Sequence, residues 1–114
     1  MSGEEQAGGG GVCTVLVTAP DMEVAETLGT RLVEEGRAAC ANLLPGVVSL
    51  YRWEGALQRD EEVLLILKST LPAAEALRER VVELHPYEVP EVLVLPVGGG
   101  HPPYLAWVQN QVGA

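Results

Sequence analysis

Phenylalanine is absent from this sequence. Leucine, valine and alanine must therefore supply most of any core, with help from Trp53 and Trp107. Basic residues are scarce: 7 Lys and Arg face 16 acidic residues, a formal charge of −9. A chain this acidic is repelled by phosphate backbones and anionic lipid, so neither nucleic acid nor membrane is expected as a partner, while a cation is electrostatically compatible. Long apolar runs are missing too. The longest are short, such as Val63 to Leu67, against the ~18 apolar residues of a membrane helix. Met1 to Gly11 holds neither a basic residue nor an apolar stretch and does not read as a signal peptide. It reads as a flexible Gly-rich tail, residues 1–11, ahead of one domain over 12–114. Two cysteines, Cys13 and Cys40, are too few for a disulfide framework. Together these shortages point to a reducing, cytoplasmic setting.

The 114 residues are 47% hydrophobic, enough for one globular core. Val12 to Thr18 reads as a first strand. Ala19-Pro20-Asp21 breaks it, and Asp21 suits a helix N-cap, with Glu23 and Glu26 at the positive end of the dipole. Val24, Ala25, Leu28, Leu32 and Val33 then share a helical stripe, and Gly36 stops the helix. Ala38 to Glu54 reads as one long second strand bent at Pro45-Gly46, with Val47, Ser49, Tyr51 and Trp53 on one face. Gly55-Ala56 turns a hairpin into a return strand, Glu62 to Lys68, whose unbroken apolar run suggests burial on both faces.

Pro72 opens a second helix in which Ala74, Leu77, Val81 and Leu84 share a face, and His85-Pro86 ends it. Val92 to Val97 is a fourth strand. Pro102 to Val112 is a terminal helix carrying Leu105, Trp107 or Val108, and Val112. The order β-α-β-β-α-β plus a helix is the ferredoxin-like pattern, an α+β fold. Right-handed crossovers make the sheet antiparallel with strand order 4-1-3-2. The long second strand is then an edge, and a closed ring of subunits is one way to cover it. First and second strands are not neighbours, so Cys13 and Cys40 are expected as free thiols.

Several stretches carry a resemblance: Thr18-Ala19-Pro20; Ala38-Ala39-Cys40-Ala41-Asn42; Ser49-Leu50-Tyr51-Arg52-Trp53-Glu54-Gly55; Glu62 and Lys68-Ser69; His85-Pro86-Tyr87-Glu88-Val89-Pro90-Glu91; and Tyr104-Leu105-Ala106-Trp107. In this order and without large insertion, they resemble the CutA divalent-cation tolerance family over residues 14–108. The resemblance implies a ferredoxin-like subunit, a homotrimer similar to the PII signalling trimers, and a link to divalent metals, copper above all. It also implies His85 as a possible copper ligand. Some members place a second histidine just before it and a cysteine in the first strand. Here those positions hold Leu84 and Val17, which offer no donor atom, so weak copper binding is expected.

Read by its residue type alone, His85 is either a helix-terminal histidine or a ligand. Cys40 is either packed among small residues or a soft-metal or reactive thiol. Lys68, Tyr87 and Glu91 read either as a structural cluster with a Lys68–Glu91 pair, or with Cys40 as an inter-subunit ligand cleft in which Lys68 and His85 bind an anion. Tyr51 and Trp53 read as trimer-interface aromatics. His101 reads as exposed. No Ser-His-Asp set, phosphate loop, metalloprotease motif or CxxC is present, so an enzyme is not expected and no cofactor is required beyond a possible copper or other divalent cation. The alternative function is a PII-like trimer sensing a small anion or nucleotide between subunits.

Overall fold

The computed structural model describes residues 9–113. The first strand, β1 (Val12–Ala19), runs into α1 (Met22–Glu34), and β2 (Cys40–Trp53) follows. Then come β3 (Ala56–Thr70), α2 (Ala74–Leu84), β4 (Leu93–Pro96) and α3 (Pro102–Gln111). The strands form one antiparallel sheet in the order β2-β3-β1-β4, the order expected from the connections.

Local chemistry sets the helix ends. The Asp21 side chain accepts from the Val24 amide at 2.9 Å, satisfying one orphan donor of α1. Gly36 takes φ 73, and the Gly36 and Arg37 amides return to the Val33 and Leu32 carbonyls at 3.0 and 2.9 Å. At the end of α2, His85 is already extended at ψ 139, as a residue before proline must be.

The inner face of the sheet presents Cys13, Val15, Val17, Val63, Leu65 and Leu67 to Ala25, Leu28 and Leu32 of α1 and to Leu77 and Val81 of α2, all buried. Each fully buried leucine contributes roughly 1.5–3 kcal/mol, so these two helices over one sheet face are the main stabilising contact. The opposite face is left largely bare. Leu64 and Ile66 are half-buried there, and Leu44, Leu93 and Leu95 are exposed. The Val63–Leu67 run is thus covered fully on one side only, where both sides were expected to be buried.

β2 bends where Pro45-Gly46 was expected to bend it: Leu44 pairs with Leu64 but Val47 pairs with Glu62, one extra residue on the β2 side. The hairpin closes through Glu54 at φ 51 and Gly55 at φ 81, between the paired Trp53 and Ala56. Both signs are positive, as the common two-residue hairpin turn requires. β3 starts at Ala56, six residues before the expected Glu62. Its polar start, Gln58 to Glu61, lacks strand propensity but is paired along its length with Leu50, Ser49, Val48 and Tyr51, and backbone pairing outweighs propensity.

α3 packs against the Val12 end of the sheet. Val108 is its buried residue, set on Val12 and Ala39, while Trp107 is exposed. Of the residues assigned to the tail, 1–8 lie outside the described part. Gly9 to Gly11 are tied into the fold: the Val12 and Val97 amides reach the Gly9 and Val12 carbonyls at 3.0 Å, and Leu71 N reaches Gly11 O at 2.7 Å. Gln109 Nε2 donates to the Gly10 carbonyl.

Candidate functional site

The polar residues singled out from the sequence separate into two clusters. One lies at the Lys68 end of β3 and the other at the Glu62 end, six residues or roughly 20 Å away. Register places Cys40 beside Lys68 and Lys68 beside Thr14, across three adjacent strands. Lys68 Nζ donates to Cys40 Sγ at 3.8 Å and to Asn42 Oδ1, and the Cys40 thiol donates to the same Oδ1 at 3.7 Å. The Tyr104 hydroxyl, carried on α3, is held above its ordinary range chiefly by burial. Among the described residues Lys68 has no carboxylate partner. Glu91 is exposed and lies before β4 at the level of Thr18 and Leu64, about 13 Å along the strands from Lys68. The expected Lys68–Glu91 pair is not formed.

At the other end, α2 delivers His85 and Tyr87 to the start of the apolar part of β3. His85 is only 7% exposed. Its Nε2–H donates to the Thr18 carbonyl at 2.7 Å, and its Nδ1 accepts from the Tyr87 amide at 3.1 Å. These two partners fix the neutral Nε2–H tautomer and leave neither nitrogen free. The ring leans on Tyr87 with centroids 4.7 Å apart. The Tyr87 hydroxyl donates at 2.9 Å to Glu62, which is 9% exposed. Burial first, then that hydrogen bond, pushes the Tyr87 phenol far above its usual range. Tyr51 donates to Asp60, and that bond is the main cause raising the Tyr51 phenol. Asp60 and Glu62 are two apart on one strand and so share a face. Lys68 and Cys40 share no cluster with Tyr87; within one chain the four cleft residues are divided between the two ends.

Within one chain the residues present do not build a tight copper site at His85. Binding at His85 would break one of its two hydrogen bonds. Val17 is a fully buried core residue and Leu84 packs against the same core. An ammonium stands beside the accessible thiol, where it repels a cation. Among the described residues no group of three or more His, Cys, Asp or Glu is placed to hold a metal ion. Sequence reasoning did not find Asn42, Tyr104, Asp60 or the bonding role of Glu62. The first of these depends on the turn, which lies at Glu54-Gly55 rather than the expected Gly55-Ala56: counting back from it, and allowing one residue for the bulge, puts Cys40 opposite Lys68 and Asn42 two residues on.

Residues 13–111 match the model of the CutA1 divalent ion tolerance protein family. The Divalent-cation tolerance protein CutA of Thermus thermophilus is 48% identical over 99 residues, 87% of this chain and 96% of that protein. A solved structure of that organism's divalent cation tolerance protein matches with a TM-score of 0.88 at 47% identity, over 90% of this chain and 99% of the other. Protein CutA of Mus musculus is 46% identical over 101 residues, 89% of this chain but 57% of the mouse protein. The structure described as the periplasmic divalent cation tolerance protein CutA of Archaeoglobus fulgidus is 30% identical with a TM-score of 0.85, over 88% of this chain and 97% of that one. The antiparallel sheet with its paired helices and the sequence identity along nearly its whole length agree, and this chain belongs to the CutA1 divalent ion tolerance protein family.

Proposed function

We propose that this protein acts in divalent-cation tolerance as a non-enzymatic homotrimer, with copper the leading cation, and that tight copper chelation by His85 is not its mode. The observation that carries the assembly is the sheet face opposite α1 and α2. Leu44, Leu93 and Leu95 lie exposed on it, and Trp53, 54% exposed, projects from the hairpin that extends it. Apolar surface of this extent favours a partner, and closed threefold packing of identical chains covers it without leaving a growing end. Tyr51 and Trp53 are the interface aromatics in this reading. Two free thiols, one half-exposed, favour the cytoplasm. No described helix is long and apolar enough to cross a membrane.

Light scattering at micromolar concentration tests the assembly. A mass three times that of the chain is expected, falling for Trp53→Asp; a folded, monodisperse monomer refutes it. Calorimetric titration with Cu(II) tests the second part. Weak binding is expected, and tight stoichiometric binding abolished by His85→Ala refutes it. Lys68, which has no carboxylate partner among the described residues, favours a second reading, a PII-like trimer that binds a small anion or nucleotide between subunits. A nucleotide thermal-shift screen on the protein and on Lys68→Met separates the two.

A further inference from the structure

Arg31, Arg37, Arg78 and Arg80 each hold a carboxylate, whereas among the described residues Arg52 and Arg59 hold none. Both stand exposed on the hairpin arm, opposite Leu57 and Leu50. Residues directly opposite share a face. Val48, Leu50 and Leu57 therefore lie with these arginines, and with Glu61, on the face that Tyr51 and Trp53 do not use. The segment between α2 and β4 is the complement of this face. There Val89 stands between Glu88 and Glu91, both exposed and neither in an ion pair among the described residues. Leu57, 77% exposed, and Val89, 70% exposed, are the barest large apolar side chains among the described residues. One is flanked by unpaired cations and the other by unpaired carboxylates.

Topology brings the two together in neighbouring chains. A closed threefold ring repeats one contact between two different surfaces. The sheet offers such a pair in the outer edges of β2 and β4. α1 does not cover the first of them: a groove of about 360 Å³, lined in part by Val33, Ala41 and Leu43, runs beside it. β2 runs with β1 and against β4, so edge pairing that continues the sheet is antiparallel. Such pairing sends the residues ahead of the next chain's β4 toward the Val47–Trp53 arm. Glu91 is level with Leu64, whose β2 partner is Leu44, so Glu88 falls farther along, toward the arm.

We propose that this face of the arm docks on residues 86–91 of the next chain, Arg52 and Arg59 meeting Glu88 and Glu91 around an apolar contact of Leu50 and Leu57 with Val89. The inference rests on the homotrimer reading and names the two surfaces that it joins. The open sheet face, with Tyr51 and Trp53, is left to the centre of the ring. His85 and Tyr87 gain a task, since their bonds to Thr18 and Glu62 fix the segment that the arm grips.

Charge exchange tests it, with assembly followed by light scattering on dilution, in enough urea to bring dissociation within range. Arg52→Glu with Arg59→Glu, and Glu88→Lys with Glu91→Lys, should each raise the dissociation midpoint by roughly tenfold or more, because like charges then meet. The lysine pair is the sharper case: it lowers the net negative charge of −9, which by itself would ease assembly. Combining all four substitutions should bring the midpoint back to within about threefold of the unaltered protein. Arg52→Gln with Arg59→Gln, which adds no repulsion, should fall between the unaltered and reversed proteins and keeps the test readable if a reversed chain folds poorly. A trimer that neither reversal weakens, or a combined variant no tighter than its two parents, overturns the docking and leaves the trimer standing. A folded monomer from the unaltered protein overturns both.

Discussion

Removing the Tyr87 hydroxyl isolates the bond that holds the segment after α2 to the sheet. In Tyr87→Phe, Glu62, 9% exposed, loses the donor that sits 2.9 Å from it. A hydrogen bond to a charged acceptor contributes about 1.5–3 kcal/mol, and the lower end suits a tyrosine that is only partly buried. For a domain near 100 residues, about 1.5 kcal/mol corresponds to a fall in Tm of about 6 °C or more. The pH dependence has a definite sign. The folded state keeps the phenol neutral above its ordinary value of 10.0. The contribution is therefore complete below pH 10 and is lost as pH rises through the higher folded value. The gap between native protein and Tyr87→Phe should narrow above pH 10. Thermal melts at fixed protein concentration, with Glu62→Gln and the double variant, complete the cycle. A Tm within 1 °C of the native protein, or no coupling between the two sites, would refute the assignment.

Two further perturbations follow from the same structure. Glu35 joins the end of α1 to α2 through Arg80, at 2.9 Å, with Arg37 and Arg31 adding to it, and its carboxyl is held down to about 2, chiefly by Arg80. Its contribution is present above the ordinary value of 4.5 and is lost as pH falls through about 2, so Glu35→Gln should flatten the acid limb of a stability–pH curve between those limits; an unchanged limb counts against the ion-pair reading. At Gly9 an added Cβ would stand 1.8 Å from the Val97 carbonyl oxygen. Gly9→Ala should cost about 1–3 kcal/mol or release the N-terminal turn, and hydrogen exchange at the Val12 amide, which bonds to the Gly9 carbonyl, should quicken; unchanged exchange and Tm would contradict the close approach.

Much of the fold was legible because it depends on short-range signals. Asp21, Gly36 and His85-Pro86 mark helix ends through chemistry confined to a few residues. The strand order follows from element order and handedness. The start of β3 was not legible, since Gln58 to Glu61 become a strand only by pairing with β2. Val108 rather than Trp107 being buried was left open because neither sequence spacing nor size shows which side of α3 meets Val12 and Ala39. The site was harder. His85 and Thr18 are 67 residues apart, and Tyr87 and Glu62 are 25 apart, so their bonds exist only once α2 has docked. The sequence marked Lys68, Tyr87 and Glu91 as one group because all are polar beside apolar runs. Register along β1 separates them: Thr14 lies level with Lys68, and Thr18 with Leu64.

The corner at Pro45-Gly46 also governs how this hairpin tolerates gaps. Ahead of it the outward row of β2 is even-numbered, Cys40, Asn42 and Leu44; beyond it the row is odd-numbered, Val47, Ser49, Tyr51 and Trp53. Loss of Gly46 would straighten the bend yet leave Val47 opposite Glu62, because the corner already holds one residue more than its partner strand. Loss of one residue between Val48 and Leu50 would instead turn Tyr51 and Trp53 to the other face, since alternation allows no half step. The corner can therefore lose one residue without altering the surface beyond it, while the arm from Val47 to Trp53 must keep its length to keep its aromatics where they are.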